Sequence, residues 1–415
     1  MRRWLLIAAA VVGGAALGLA AAYVLHLRSQ EADVRGSSTV EFIPIELPPL
    51  KPQEPGVLWP MWGYDEARLR VASDVSLAPP FRRVWTFRAR SLLEFPPAVA
   101  YGRLFFASND GVVFAISAKT GKRAWRYESH RCAAMSPAVD GHTVFATFLN
   151  RPPCNATGSE LDGEVVALTA GSGRVRWRRT IGPSESSPLV HQGAVYVGDW
   201  GGRVYRFASA DGRLVWSFQA EGKIKGGVAL SGGRLFFGTY DHKVYALNAS
   251  TGKLVWTAKA QPRFGSPGNF YATPAVAYGR VYIGATDGKV YSFGATSGRL
   301  RWSQSTGGYV YSSPAVWRRR VYVGSYSGWL YCLDAATGDV RWRFQANGPI
   351  SGSPTIVAGR VYFATLNLRT YALDARNGDE LWTLPDGKYT PVVADPERLY
   401  LTGYTRLYGL EKKRR

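Results

Sequence analysis

Short segments that alternate between apolar and polar residues fill most of the chain, and glycine-containing turns separate them. Arg320–Gly324 and Trp329–Leu333 are two such segments, preceded by the short apolar segment Pro314–Val316. A Thr-Gly turn then leads into a fourth segment, which carries a tryptophan. Period-two alternation bounded by glycine turns is typical of antiparallel strands. The pattern therefore predicts four antiparallel strands in each stretch of about 40 residues.

The tryptophan of the fourth segment recurs along the chain at intervals of 40, 52, 39, 40, 46, 40 and 40 residues. Most copies close the same phrase, as in Thr337-Gly-Asp-Val-Arg-Trp342, and a small residue before proline, as in Ser313-Pro314, follows in most repeats. Four-stranded sheets repeated around an axis form a β-propeller, which leaves few exposed edges. The recurring residues are Trp85, Trp125, Trp177, Trp216, Trp256, Trp302, Trp342 and Trp382.

The two ends of the repeat region indicate the number of blades. Trp85 lies in a strand with no preceding strands of its own, whereas residues 391–410 supply three strands without a tryptophan. Each end lacks what the other has, so residues 82–88 should pair with residues 405–411 in an eighth blade. We predict an all-β fold, an eight-bladed β-propeller of four-stranded antiparallel blades over residues 81–412.

The eight tryptophans have a structural explanation. A large ring on the outermost strand can fill the wedge between neighbouring blades, and burying it contributes several kcal/mol. One ligand cannot use eight equivalent rings, so we interpret all eight as packing residues. Their indole N–H groups should find backbone carbonyls nearby.

The N-terminal region differs in composition from the repeats. Trp4–Leu25 contains no charged residue and follows Arg2 and Arg3, and about 20 apolar residues are enough to span a bilayer as a helix. Residues 1–28 are therefore interpreted as a transmembrane signal-anchor, with cleavage near residues 20–22 left open. The basic N-terminus should stay cytoplasmic, which predicts a single-pass protein of the cell membrane with an extracytoplasmic propeller. Residues 29–58 are rich in proline and predict an extended spacer.

The formal net charge is +21, and removing Arg2, Arg3 and Arg28 leaves +18. Such an excess concerns solubility and partners rather than fold. Two interpretations stay open, namely an ordinary arginine-rich extracytoplasmic domain and affinity for a polyanion such as lipid headgroups or a cell-wall polymer. No nucleic-acid-binding module is recognisable and the basic residues are dispersed, so no nucleic-acid partner is expected.

The repeat phrase, followed by a small residue and proline, resembles the PQQ-like repeat of quinoprotein dehydrogenases and of the outer-membrane assembly lipoprotein BamB. The resemblance covers about residues 81–412 and implies an eight-bladed propeller. Trp59–Arg68 is similar to a W-P-x-x-G-x-D-x-x-R lead-in found before many bacterial propellers of this kind. Residues 59–80 are therefore expected to pack on the ring.

The resemblance leaves the function open between a scaffold and an oxidoreductase. The dehydrogenases that the chain resembles carry a Ca²⁺ site of Glu, Asn and Asp, and often adjacent cysteines beneath the quinone. Here no two cysteines are adjacent, and acids such as Asp334 and Asp374 fall in turns of the repeat. We expect no PQQ, no calcium or other metal site and no catalytic residue. BamB has a lipid-modified cysteine, which this chain lacks near residue 25.

These observations favour a non-catalytic scaffold or binding protein of the cell envelope, monomeric, with a protein or a polyanionic or glycan partner. The alternative is a PQQ- or sugar-related oxidoreductase. Loops leaving the tryptophan strand and loops between the second and third strands share one face of a propeller, and function usually lies on such loops. Aromatic residues with Arg and Lys suit partner contacts. The candidates are Arg131, Glu185, Trp200, Lys223, Lys225, Tyr240, Tyr271, Tyr309, Tyr311 and Tyr326.

The three cysteines complete the sequence-based expectations. Cys154 lies in the excess residues of the longest repeat, between its second and third strands, and Cys132 lies in the loop entering the same blade. Both loops emerge on one face, and an envelope location permits oxidation. We predict a Cys132–Cys154 disulfide and a buried free thiol at Cys332.

Overall fold

Each repeat folds into one antiparallel sheet, and the sheets stand around a central axis. A computed structural model describes residues 32–45, 54–72, 75–154, 162–261, 267–389 and 392–413. The predicted membrane helix over residues 4–25 lies outside these ranges. Among the described residues, no helix is long and apolar enough to cross a membrane.

The strands are numbered in chain order. Before the first complete blade lie β1 (Val57–Trp59), β2 (Val71–Ala72) and β3 (Phe81–Arg88). Blade 1 comprises β4 (Ala98–Ala100), β5 (Arg103–Ser108), β6 (Val112–Ser117) and β7 (Arg123–Glu128), and blade 2 comprises β8 (Ala138–Asp140), β9 (Thr143–Phe148), β10 (Gly163–Thr169) and β11 (Val175–Ile181). Blade 3 comprises β12 (Leu189–His191), β13 (Ala194–Gly198), β14 (Arg203–Ala208) and β15 (Leu214–Gln219), and blade 4 comprises β16 (Ala229–Ser231), β17 (Arg234–Gly238), β18 (Lys243–Asn248) and β19 (Leu254–Lys259).

Blades 5 to 8 continue the order. Blade 5 comprises β20 (Ala275–Ala277), β21 (Arg280–Gly284), β22 (Lys289–Gly294) and β23 (Leu300–Ser305), and blade 6 comprises β24 (Ala315–Trp317), β25 (Arg320–Gly324), β26 (Trp329–Asp334) and β27 (Val340–Gln345). Blade 7 comprises β28 (Thr355–Val357), β29 (Arg360–Thr365), β30 (Arg369–Asp374) and β31 (Glu380–Leu384). Blade 8 comprises β32 (Val392–Ala394), β33 (Leu399–Thr402), β34 (Arg406–Lys412) and the early strand β3. The upper face carries the loops that enter the inner strands and the turns between the second and third strands. The lower face carries the other turns.

Blade 8 closes the ring. Strand β3 pairs antiparallel with β34, from Phe81 opposite Lys412 to Arg88 opposite Arg406. The predicted pairing of residues 82–88 with the C-terminal strand and the predicted eight-bladed fold are therefore confirmed.

The tryptophans lock each blade to the next. The ring of Trp302 packs on Gly338 in the lower-face turn of the following blade, and its indole N–H donates to the carbonyl of Ala335 at 2.9 Å. A Cβ on Gly338 would lie 2.8 Å from this ring, and the φ of Gly338 is +80°. The Thr-Gly phrase thus needs glycine both for the turn and for the close approach. Blade 8 has no such turn, and Trp382 packs edge-on against Phe81 instead.

The small residue before proline also joins neighbouring blades. The backbone N–H of Thr273 donates to the hydroxyl of Ser313 at 2.9 Å, and the N–H of Ser313 donates to the hydroxyl of Ser353 at 2.9 Å. Serine or threonine at this position satisfies a backbone donor that the inter-blade contact buries. The second sequence landmark therefore forms part of the ring's interior.

Residues 57–72, here called the plug, fill the central channel. Strand β1 pairs with the inner strand of blade 1, and β2 runs parallel to the inner strand of blade 7. Between them, backbone carbonyls of the plug accept hydrogen bonds from inner-strand N–H groups, including Leu230 to Glu66 and Val276 to Ala67. The lead-in therefore does pack on the ring, along the axis.

Arg68 is the centre of the plug. It is fully buried, and its guanidinium donates to the carbonyls of Trp62, Ser187 and Val228. Burial lowers the pKa of Arg68 to about 9, although the nearby carboxylate of Asp65 opposes this shift. One side chain thus connects the plug to the inner ends of blades 3 and 4.

Residues 32–45, here called the strap, differ from the spacer that the sequence predicts. The N–H of Ser303 in β23 donates to the carbonyl of Val34, and Glu41 forms an ion pair with Arg301. Arg280 donates to the carbonyls of Ser37, Val40 and Glu41. These bonds hold the strap on the outer edge of blade 5, where it covers Trp302 completely.

Candidate functional site

One position of the repeat lines the mouth of the channel on the upper face. It is the third residue before the landmark proline of each blade, or before Val228, which stands in the proline position of blade 4. We call this set the axial ring: Glu94, Ala134, Glu185, Lys225, Tyr271, Tyr311, Ser351 and Lys388. Six of the eight line a single small cleft above the plug, with Trp62 among its other lining residues.

Glu185, Lys225 and Tyr271 form a connected group in the axial ring. The Lys225 Nζ lies 3.5 Å from Glu185 Oε1, and the Tyr271 hydroxyl donates to Glu185 Oε2 at 3.3 Å. Burial raises the pKa of the Glu185 carboxyl to about 7, although the ammonium of Lys225 lowers it. The group can therefore hold or release a proton near neutral pH.

Aromatic rings surround the Lys225 ammonium. Its Nζ lies 4.5 Å from the ring centroid of Trp200, 5.6 Å from that of Tyr240 and 5.8 Å from that of Tyr271. A cation within about 6 Å of a ring centroid is attracted by the ring quadrupole. Trp200 is thus one wall of a cationic site.

Tyrosines extend this wall outward. The ring centroids of Tyr271 and Tyr311 lie 5.1 Å apart, and those of Tyr311 and Tyr326 lie 5.0 Å apart, both pairs edge-on. Tyr309 contacts both Tyr311 and Tyr326 and is 53% exposed. The tyrosines are held by one another and still present surface to solvent.

Two predicted candidates have different surroundings from the rest. Lys223 lies at the edge of the cluster, with its Nζ 5.9 Å from the Trp200 ring centroid. Arg131 lies away from the cleft, where its Nε donates to the carbonyl of Asp162 at 2.7 Å and its guanidinium also pairs with the Asp162 carboxylate. Arg131 therefore holds the inserted loop of blade 2.

The sequence interpretation missed two charged residues of the axial ring, Glu94 and Lys388. Glu94 accepts a hydrogen bond from the Asn109 amide at 3.2 Å, and burial raises the pKa of its carboxyl. Lys388 lies over the rings of Tyr389 and Tyr404, at 5.3 and 4.8 Å from their centroids. Aligning all blades on the landmark proline identifies Glu94 and Lys388, because both occupy the position of Glu185 and Lys225.

The disulfide borders the cleft. Cys132 and Cys154 are bonded, with their Cα atoms 5.6 Å apart, which is the pairing that the sequence predicts. Phe95 and Trp200 pack against Cys132 and its neighbours, so the disulfide supports the aromatic wall from behind. Cys332 is a free buried thiol opposite Trp342 in the neighbouring strand, also as predicted.

The cleft residues do not fit a calcium–quinone site. Ca²⁺ takes six to eight oxygen ligands. Here Glu185 contacts an ammonium 3.5 Å away, and burial favours the protonated form of both Glu185 and Glu94. No group of three or more His, Cys, Asp or Glu residues that could hold a metal ion occurs within the described ranges.

Eight blades, seven of which carry the same tryptophan phrase, define this chain as a propeller of the PQQ-like repeat class. A family model described as outer membrane protein assembly factor BamB matches residues 78–199, 137–224, 200–316 and 286–410. These matches together cover most of the chain, which therefore belongs to the family that this model describes.

Curated relatives fall into two groups. An outer membrane protein assembly factor BamB of Bordetella pertussis is 28% identical over 167 residues, which cover 39% of this chain and 40% of that protein. A 1-butanol dehydrogenase (cytochrome c) of Thauera butanivorans is 30% identical over 149 residues, which cover 34% of this chain and 21% of that protein. The matched stretches thus span less than half the length of these relatives.

Solved structures show the same fold. BamB from Moraxella catarrhalis superposes with a TM-score of 0.64 at 19% identity, covering 81% of this chain and 99% of that chain. The quinohemoprotein alcohol dehydrogenase from Comamonas testosteroni superposes with a TM-score of 0.71 at 15% identity, covering 86% of this chain and 81% of that chain. Identities this low show a shared architecture only.

Proposed function

We propose that this protein is a non-catalytic binding module that holds a segment of a protein partner against its upper face. The observation that carries the proposal is the tyrosine cluster at the axial ring, in which Tyr309 remains 53% exposed while Tyr311 packs edge-on against both Tyr271 and Tyr326. Tyrosine supplies a large, rigid, amphipathic contact area at a low cost in conformational entropy. Such residues dominate the energetics of protein interfaces.

The axial ring supplies polar contacts beside this aromatic surface. It carries acids at Glu94 and Glu185 and ammonium groups at Lys225 and Lys388. Acidic and basic groups therefore lie side by side at the opening of the channel. Such a surface suits a peptide segment, which presents both hydrogen-bond donors and acceptors, better than it suits a uniformly anionic polymer. The relatives named as outer membrane protein assembly factors support a protein partner.

Residues 4–25 would attach the module to the cell membrane, with the propeller outside. The carbonyl of Ala32 accepts a hydrogen bond from Gln261, in the upper-face loop after β19. Only residues 26–31 separate Ala32 from the proposed helix, and an extended chain of that length reaches about 20 Å. The upper face at blades 4 and 5 would therefore lie near the membrane, and the partner would be a protein at or in it.

Site-specific photocrosslinking in cells tests the proposal. A photoreactive phenylalanine analogue replaces Tyr309 on the upper face, and the matched control replaces Leu214, which is 48% exposed on the outer edge of blade 3. We expect a discrete protein adduct from position 309 that Tyr311→Ala and Lys225→Ala weaken, and none from position 214. Equal adducts from both positions, or a glycan adduct only, would overturn the proposal.

The dehydrogenase relatives favour a second candidate, a quinone-dependent oxidoreductase. Titrating the full-length protein with PQQ and Ca²⁺ while recording the quinone absorbance distinguishes the two. A saturable spectral change with one quinone per chain would replace the binding-module proposal with the enzymatic one.

A further inference from the structure

A second cavity opens on the lower face, on the opposite side of the plug from the axial ring. It has a volume of about 690 Å³. Plug residues form one wall, and apolar residues of the inner strands form the others, including Leu230, Val276, Val316 and Trp317. Sites for small molecules typically enclose about 300–1,000 Å³ and combine apolar walls with a few polar groups.

One residue of this cavity departs from the repeat. Directly opposite the ladder tryptophan, on the neighbouring strand, seven blades carry a small residue that leaves room for the ring. In blade 3 this position is Arg206, which faces Trp216. The small residues are Ala115, Ala167, Ala246, Ser292, Cys332, Ala372 and Gly409.

The Arg206 guanidinium lies in the cavity wall next to the Tyr196 hydroxyl, with which it interacts, and part of its hydrogen-bonding capacity is unused. One of its terminal nitrogens donates to the carbonyl of Ser250 at 3.2 Å. Its Nε is buried and has no hydrogen-bond partner within the described part of the chain. None of the ion pairs among the described residues involves Arg206. Arg206 is only partly buried, so its charged guanidinium can exchange solvent for the anionic group of a ligand.

The other charges of the cavity already have partners. Asp65 accepts a hydrogen bond from the N–H of Leu69 at 3.0 Å, and Arg68 lies near it in the plug. Glu66 Oε1 lies 2.6 Å from His191 Nδ1. Arg206 is therefore the cation of this wall that can receive a ligand.

We infer that the lower cavity binds an amphipathic monoanion of the fatty-acid class. Its alkyl chain lies among Leu230, Val276 and Val316, and its carboxylate accepts hydrogen bonds from Arg206. Charge-assisted pairs between arginine and carboxylate are among the strongest hydrogen bonds in proteins. This site is separate from the upper face and does not depend on the function proposed for that face.

Photolabelling of the full-length protein tests the inference. The probe is dodecanoate with a diazirine on its alkyl chain, and mass spectrometry locates the labelled peptides. We expect saturable labelling of peptides that contain Leu230, Val276 or Trp317. Unlabelled dodecanoate should compete, and octanoate should compete more than tenfold less well, because each buried methylene strengthens binding about fourfold.

Three variants separate the possible explanations. Arg206→Gln should weaken labelling about tenfold, the usual effect of losing a hydrogen bond to a charged group. Val276→Trp should abolish labelling by filling the cavity, provided that its circular dichroism and melting temperature match the wild type. Arg203→Gln, on the exposed side of the same strand, should leave labelling unchanged.

The inference would be overturned by labelling spread over the surface, or by labelling that Val276→Trp does not reduce. Dodecanol competing as well as dodecanoate would exclude the role of Arg206. Tyr311→Ala should not change the labelling, so a failure here is distinguishable from a failure of the upper-face proposal.

Discussion

Trp85 and Gly409 face each other across the strand pair that closes the ring, although they come from opposite ends of the propeller sequence. A Cβ on Gly409 would lie 2.2 Å from the Trp85 ring. Every other blade makes the same cross-strand contact within one continuous stretch of chain. In blade 8 it joins the two ends of the propeller sequence, so this contact is one of those that close the ring.

Replacing Gly409 by valine should therefore destabilise the whole domain by about 3 kcal/mol or more, since the ring of Trp85 must leave its position. Denaturant unfolding measures the difference. Gly171→Ala is the control, because a Cβ at Gly171 meets nothing within 4 Å. Equal stability of Gly409→Val and the wild type would show that closure does not depend on this contact.

The tryptophan ladder leads to a second prediction. Trp256→Ala should lower the free energy of unfolding by about 3–5 kcal/mol, the range for large aromatic truncations in a core. Trp342→Ala should cost less, because the indole N–H of Trp342 has no partner in the described part of the chain, whereas that of Trp256 donates to Ala295. Urea titrations of both variants measure this. A loss below about 1 kcal/mol for Trp256→Ala would contradict the packing role.

A third prediction concerns the disulfide that supports the cleft wall. Replacing both Cys132 and Cys154 by serine should remove about 3 kcal/mol, since the bond closes a loop of moderate length in the unfolded chain. Reductant should lower the thermal stability of the wild type by the same amount as the double substitution does. It should not change the thermal stability of the double variant. Alkylation of both thiols in the native protein without reductant would contradict the bond.

The fourth prediction concerns pH. Burial raises the pKa of Glu185 to about 7 in the folded chain, above its ordinary value of 4.5. The folded state therefore binds this proton more tightly, so the contribution of Glu185 to stability is greatest below about pH 4.5 and decreases as the pH rises toward 7. In Glu185→Gln the free energy of unfolding should fall less between these pH values, by about 3 kcal/mol at most. Urea unfolding between pH 4 and 8 measures it.

The matched control for this measurement is Glu221→Gln, which removes a carboxylate that is 73% exposed. It should leave the slope of stability against pH unchanged. An identical slope in Glu185→Gln and the wild type would mean that Glu185 is ionised throughout.

The repeat made much of the fold predictable from sequence. Trp302 and its equivalents recur because every blade buries the same face against the next. The same packing requirement therefore places a tryptophan at the same position of all eight repeats. The Cys132–Cys154 pairing was predictable for a related reason, since the repeat places both loops on one face. Trp200 could be distinguished from the eight packing tryptophans because it lies outside the repeated tryptophan phrase.

Features that occur once in the chain were harder to predict. The proline content of residues 29–58 predicts a spacer, but Glu41 meets Arg301 and Arg280 only where blade 5 brings their two strands together, so composition could not reveal the strap. The path of the plug depends on carbonyls such as that of Glu66 meeting inner strands. Glu94 was missed because its blade begins with Pro96-Pro97 rather than with a small residue and proline.

The pairing of β3 with β34 also has a consequence for folding in time. Strand β3 leaves the ribosome early, whereas its partner, residues 406–412, emerges only after all the intervening blades have been made. The edge of β3 has no native partner until residues 406–412 have been made, and contacts between such distant residues make folding slow. A chain that cannot close its ring early therefore keeps an incomplete eighth blade for longer. The same delay exposes an open strand edge to aggregation, so the appearance of residues 406–412 should be the step at which folding becomes committed.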